Sequence, residues 1–103
     1  MKILAIEKET PGVADEQFTG SLLKSEAARA WLVYQEGVIR EMYFRDDREE
    51  AVLVLECRNV DEASKVLCTL PLVEEGLISF DLIPLKAYPG FSRLFASSKY
   101  TEL

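Results

Sequence analysis

Residues 51–57 read Ala51-Val52-Leu53-Val54-Leu55-Glu56-Cys57. The run is short, alternates valine with leucine, and follows a cluster of charged turn residues, so it reads as a strand. Successive side chains of a strand point to opposite faces. Here Ala51, Leu53, Leu55 and Cys57 fall on one face, Val52 and Val54 on the other, so both faces are apolar. Such a strand belongs in the interior of a sheet, with a covering layer on each side. Residues 2–7, Lys2-Ile3-Leu4-Ala5-Ile6-Glu7, share this character, with Ile3 and Ala5 opposed to Leu4 and Ile6.

The flanking sequence supplies the rest of a small domain. Upstream, the turn Arg45-Asp46-Asp47-Arg48-Glu49-Glu50 joins this strand to another over 38–44, Val-Ile-Arg-Glu-Met-Tyr-Phe, which carries Arg40 and Glu41 at its middle. Two strands on a short polar loop predict an antiparallel hairpin. Downstream, a helix is expected over 60–70, with Asn59 as its cap and Glu62 placed as in a capping box. Ala63, Val66, Leu67 and Leu70 form its apolar face, and Pro71 is expected to stop it. Residues 77–85, Leu-Ile-Ser-Phe-Asp-Leu-Ile-Pro-Leu, read as a last strand whose Pro84 marks an edge or an end. Nearer the N-terminus, residues 8–18 contain Pro11-Gly12 and read as a connection. A first helix is expected over 20–36, capped by Thr19 and closed by a left-handed Gly37. Leu23, Ala27, Ala30, Trp31 and Tyr34 give its apolar stripe, while Lys24, Ser25, Arg29 and Glu36 lie opposite.

The order is βαββαβ, which predicts an α+β, ferredoxin-like fold with a four-stranded antiparallel sheet. Strands one and three take the centre, and strands two and four, with Arg40, Glu41, Ser79 and Asp81, take the edges. Two helices cover only one face of such a sheet. The other face would leave an apolar patch of a few hundred Å2 bare, which soluble monomers seldom tolerate. A second copy packed sheet to sheet as a closed homodimer resolves this. The domain is expected to span 1–88. The tail, 89–103, carries Phe91, Leu94, Phe95 and Tyr100 and is expected to pack on its own subunit or on the partner.

Composition narrows the function. The chain has 103 residues, room for one domain, and its 49% apolar content marks a folded chain. Eighteen acidic against twelve basic residues give a net charge of −6, which argues against nucleic acid and anionic membranes as partners. No apolar run reaches the ~20 residues of a bilayer span. The acidic turn after Ile6 does not fit a signal peptide, so a cytoplasmic location is expected. With no histidine, Ser-His-Asp triads, Cys-His pairs and most zinc sites are excluded. Cys57 and Cys68 lack metal-ligand spacing and read as buried reduced thiols. No metal or organic cofactor is expected.

Glu26, eleven residues before Gly37, Arg40 three residues after that glycine, the helix-ending Leu70-Pro71-Leu72 and the strand-ending Ile83-Pro84-Leu85 with Tyr88-Pro89 beyond it form a recognisable set. Over Glu26 to Pro89 the chain resembles the muconolactone isomerase family of the dimeric α+β barrel superfamily. The resemblance implies a cofactor-free proton transfer on a small lactone or organic acid, in a pocket between sheet and helices. It makes Glu26 the catalytic proton carrier and Arg40 the holder of an anionic substrate or enolate. Two positions depart from the family pattern, Glu41 where a histidine follows the arginine and Val38 where a lysine follows the glycine. On the residues themselves, Asp81 on the fourth strand is a further substrate-contacting candidate. Trp31 and Tyr34 could stack on a ligand, although aromatic rings at this spacing are more often packing residues. Three classes stay open: an isomerase of this kind, a non-catalytic dimeric ligand-binding or assembly module, and a cofactor-independent monooxygenase.

Overall fold

The computed structural model describes residues 1–95. Strand β1 (Lys2–Glu9) leads through a 3-10 turn (Asp15–Gln17) to helix α1 (Gly20–Gln35). The hairpin of β2 (Ile39–Phe44) and β3 (Ala51–Glu56) follows, then α2 (Val60–Leu67), α3 (Pro71–Glu74) and β4 (Ile78–Leu85). The sheet order is β2-β3-β1-β4 with every neighbouring pair antiparallel, so the two strands that are apolar on both faces are the central ones. This is the expected α+β arrangement.

Local signals explain the element ends. Thr19 Oγ1 accepts from Leu22 N at 3.2 Å, and Asn59 Oδ1 accepts from Glu62 N at 2.8 Å, so each helix begins at its side-chain cap. The box at α2 is displaced by one residue: Glu62 accepts from the backbone N–H of Arg58 and pairs with its guanidinium, not with Asn59. Gly37 follows α1 with φ +83°, the left-handed conformation that a Cβ disfavours.

Register separates two faces of the sheet. Ala5 lies opposite Leu53 and Leu82, while Leu4 lies opposite Val54 and Ile83. Ile3, Ala5, Leu53 and Leu55 are fully buried beneath the helices, with Val33, Ile39, Ala63, Leu67 and Leu70 packed over them. On the other face Leu4, Ile6, Val52 and Val54 are only half-buried, and Tyr43, Ile83 and Leu85 are exposed. A bulge between Ile39 and Glu41 interrupts the pairing at Arg40.

The structure departs from the sequence expectation in three further places. Pro71 does not simply end the second helix: α2 stops at Leu67, and Pro71 opens the separate turn α3, where its missing N–H costs nothing. Cys57 is buried, but Cys68 at the end of α2 is exposed. Helix α1 is turned about its axis relative to the expected stripe. Ala30 and Val33 are its buried residues, with Leu22, Glu26 and Arg29 half-buried beside them, while Leu23, Ala27, Trp31 and Tyr34 face outward.

Candidate functional site

The turn of α1 has a polar cause. The N-cap position of α3 is Leu70, whose side chain cannot cap it. Glu26 reaches across from α1, and its Oε1 accepts from Leu72 N at 2.9 Å. One turn further on, Arg29 Nε donates to Thr69 Oγ1 at 2.9 Å. Two polar side chains of α1 are thereby drawn inward to satisfy the junction between α2 and α3, where free backbone groups would otherwise be stranded.

A second carboxylate approaches from the sheet. Glu7 shares its side of β1 with Ile3 and Ala5, so its side chain points into the helix-covered layer. Its Oε1 accepts from Ala51 N at 2.9 Å, at the start of β3. Burial pushes the Glu7 carboxyl above its ordinary value, the nearby charges of Glu50, Glu26 and Glu9 push it further, and the Ala51 N–H opposes them. Burial likewise raises Glu26, against the Leu72 N–H. The charge of Glu26 is among those that raise Glu7, whereas burial alone raises Glu26.

Glu7 lines a cleft of about 670 Å3 between the start of α1, the Asp15–Gln17 turn and the β2–β3 hairpin, and Glu26 is linked to it through Leu72 in its wall. Glu7, Glu9, Asp15, Glu49 and Glu50 line it, with Phe18, Leu23, Phe44 and Leu72 as its apolar wall and Arg48 as its one cation. Arg48 already lies 3.7 Å from Glu50. The cleft is therefore strongly acidic, and it favours neutral or cationic molecules over anions. Its volume lies within the range of small-molecule sites. No group of three or more His, Cys, Asp or Glu among the described residues is arranged to hold a metal ion.

The other sequence candidates lie elsewhere. Arg40 sits exposed in the bulge of β2, where its Nε donates to the carbonyl of Gly37. Asp81 lies on β4 at the opposite edge and pairs with Lys8 at 2.7 Å, both side chains being more than half exposed. Trp31 and Tyr34 stack on each other on the outer side of α1, with ring centroids 5.6 Å apart. With Ala27, Ala30 and Met42 they form a separate shallow groove of about 400 Å3. Of the five candidates, then, none lines the acidic cleft, and Glu26 is linked to it only through the N–H of Leu72 in its wall. Glu7 was not singled out in the sequence, although its parity with Ile3 and Ala5 places it on the core side once β1 extends to Glu9.

The architecture is a ferredoxin-like α+β fold with an acidic cleft beside its sheet. Among solved structures it is similar to muconolactone isomerase, with a TM-score of 0.71 over 86% of this chain and 92% of that one, at 19% identity. It is also similar to the 5-chloro-2-hydroxyhydroquinone dehydrochlorinase of Burkholderia phenoliruptrix AC1100, solved with 2,5-dihydroxybenzoquinone. That match has a TM-score of 0.59 over 87% of this chain and 98% of that one, at 18% identity. At such identities the likeness is one of fold, and the expected resemblance to the muconolactone isomerase fold is borne out at that level. No family model matches the chain, and no curated protein matches its sequence. Among the described residues no helix is long and apolar enough to cross a membrane.

Proposed function

We propose that the chain acts on a small neutral lactone or related carbonyl compound by cofactor-free proton transfer in the acidic cleft. One observation carries this reading: Glu7 lines the cleft, Glu26 accepts from the N–H of Leu72 in the wall of the same cleft, and burial raises both half-buried carboxylates. Like charges at close range resist joint ionisation, so such a pair favours holding one proton between two groups. The ionised member accepts a proton from the carbon beside the carbonyl. The protonated member returns one at a neighbouring carbon, so one C–H bond breaks, another forms and no redox partner is needed. The five acidic residues of the lining favour a lactone over a free organic acid, and with Arg40 outside the cleft no unpaired cation awaits a carboxylate.

The experiment is deuterium wash-in. A panel of five-membered lactones is incubated with the protein in D2O, and loss of the α-proton signal is followed by NMR. The wild-type chain is expected to exchange at least one member of the panel. Glu26→Gln, which keeps an acceptor for Leu72 N, is expected to lose about 100-fold or more of that rate. Equal rates in both proteins would refute the role of Glu26.

A second reading has its own support. The Glu26 carboxylate is already engaged in capping α3, as expected of a non-catalytic module. An unchanged panel with a ligand-induced rise in melting temperature would favour binding alone. Either reading includes self-association. Among the described residues, the face of the sheet carrying Leu4, Ile6, Val52, Val54, Ile83 and Leu85 has no layer over it, and a second copy packed sheet to sheet is the proposed cover.

A further inference from the structure

The turn between β2 and β3 holds two arginines, Arg45 and Arg48, that are engaged differently. Arg45 is clamped within the turn. Its Nε donates to Asp47 Oδ1 at 2.9 Å and its Nη2 to Asp47 Oδ2 at 2.6 Å. Paired contacts of this kind hold a guanidinium in one place. Arg48 has no such clamp. The acidic oxygens nearest to it among the described residues lie at 3.7 Å on Glu50 and 4.0 Å on Asp47, beyond hydrogen-bond reach. Its side chain is 60% exposed. Arg48 lines the acidic cleft, and Arg45 does not.

We propose that Arg48 receives the carbonyl oxygen of the substrate and carries the negative charge that forms there when the neighbouring carbon loses its proton. The proposal rests on the proton-transfer reading above and assigns the donor that this reading lacks. As the carboxylate takes the proton, the C–H electron pair moves toward the carbonyl oxygen and leaves an enolate. When a proton is returned at carbon, that pair forms the new C–H bond and the carbonyl is restored. No bond to Arg48 forms or breaks, and no oxidant or second substrate enters. In a lining that holds Glu7, Glu9, Asp15, Glu49 and Glu50, an enolate without a donor would face carboxylates alone. Arg48 is the one cation of that lining, whereas Arg40 lies outside it and donates to the carbonyl of Gly37.

Placement and charge balance both suit Arg48 to this task. The Arg48 carbonyl accepts from Glu50 N at 2.8 Å, and the next residue, Ala51, donates its N–H to Glu7 at 2.9 Å. The guanidinium and the Glu7 carboxylate are thus tied to one short stretch of backbone, which favours a fixed relation between proton acceptor and oxygen donor. Glu50 lies 3.7 Å from Arg48 and balances its charge at rest, so a ligand that already carries a carboxylate gains little. A charge that develops only in the transition state meets N–H donors already in place. The contact therefore lowers the barrier more than it tightens substrate binding.

Arg45 provides a matched comparison, since it stands in the same turn at 3.8 Å from Glu50 but outside the lining. Deuterium wash-in is followed for the wild-type chain, Arg48→Gln and Arg45→Gln, with the lactone that the wild type exchanges fastest. Arg48→Gln is expected to slow exchange by about 100-fold at saturating lactone, with KM changed less than about threefold. The two substitutions alter net charge equally, so an effect of the general field would slow both. Arg45→Gln is expected to stay within about threefold of wild type. Guanidinium ion at non-denaturing concentration is expected to restore part of the rate to Arg48→Ala. Arg48→Lys, which keeps the charge and loses the planar fork, is expected to fall between wild type and Arg48→Gln, and it stands in should Arg48→Gln fail to fold. Arg58→Gln, on an 88% exposed side chain outside the lining, replaces the Arg45 variant in the same event. Equal rates in Arg48→Gln and wild type, or equal losses in Arg48→Gln and the matched variant, would overturn the role of Arg48 and leave proton transfer standing. A wild-type chain that exchanges no lactone would overturn both.

Discussion

The two sides of helix α1 invert the usual arrangement. Its inner side buries Val33 and Ala30 but also draws in Glu26 and Arg29, while its outer side shows Trp31, Tyr34 and Leu32 to solvent. A helix that followed apolarity alone would turn its rings inward. What holds it otherwise is the junction between α2 and α3, whose Leu72 N–H and Thr69 hydroxyl oxygen are met by Glu26 and Arg29. A buried donor without a partner costs about 1–3 kcal/mol, enough to help set how a helix of this length is turned. The rings are thereby left on the outer surface.

This contrast can be broken most severely at Val33 and Leu32, adjacent in sequence but on different sides of the helix. Val33 is 2% exposed, and Val33→Ala is expected to cost about 2–3 kcal/mol through lost burial and the cavity left behind. Leu32 is 49% exposed, lies outside the groove, and Leu32→Ala is expected to change stability by no more than about 0.5 kcal/mol. Urea denaturation at constant slope separates the two. Comparable losses would mean that α1 is turned differently from the arrangement described.

A smaller effect sharpens the polar half of the comparison. Glu26→Ala removes the acceptor for Leu72 N and is expected to cost about 1 kcal/mol, whereas Glu26→Gln retains it and is expected to cost less than half as much. Amide hydrogen exchange at Leu72 provides the local readout, with faster exchange in the alanine variant alone. If the two variants exchange alike, the cap is not what holds Glu26 in place.

The smallest effect concerns pH. Glu7 has a folded pKa raised above its ordinary 4.5, so the folded chain holds this proton more tightly than the unfolded one. Its favourable contribution is complete below the unfolded value and is lost as pH rises through the folded one. Glu7→Gln removes that loss while leaving an acceptor for Ala51 N. The gap between variant and wild-type melting temperatures is expected to widen in favour of the variant between about pH 4 and about pH 7. A gap that stays constant or narrows would show that Glu7 is not held in a disfavoured ionised state.

The strand reading was legible because period-two alternation reports burial directly. Ala51, Leu53 and Leu55 are buried and Val52 and Val54 half-buried, as their parity requires, and the doubly apolar strands are the central pair. The caps at Thr19 and Asn59 and the left-handed Gly37 were equally legible, being decided within a few residues. The candidate site was legible only in part. Glu26 could be singled out on the first helix through the family resemblance, but its partner Leu72 N lies forty-six residues away. Glu7 sat at what looked like the end of a strand, and its buried character follows from strand β1 running on to Glu9 beneath the helix layer.

The sequence by itself determined the order of elements, the antiparallel sheet and which strands lie inside it, because these depend on side-chain periodicity and short-range turn chemistry. Only the tertiary structure decided which way α1 faces. That choice depends on donors and acceptors of α1, α2 and α3 meeting across long sequence separations, and no helical wheel contains them. The same contacts turn Glu26 toward Leu72 in the wall of the acidic cleft and leave Trp31 and Tyr34 outside.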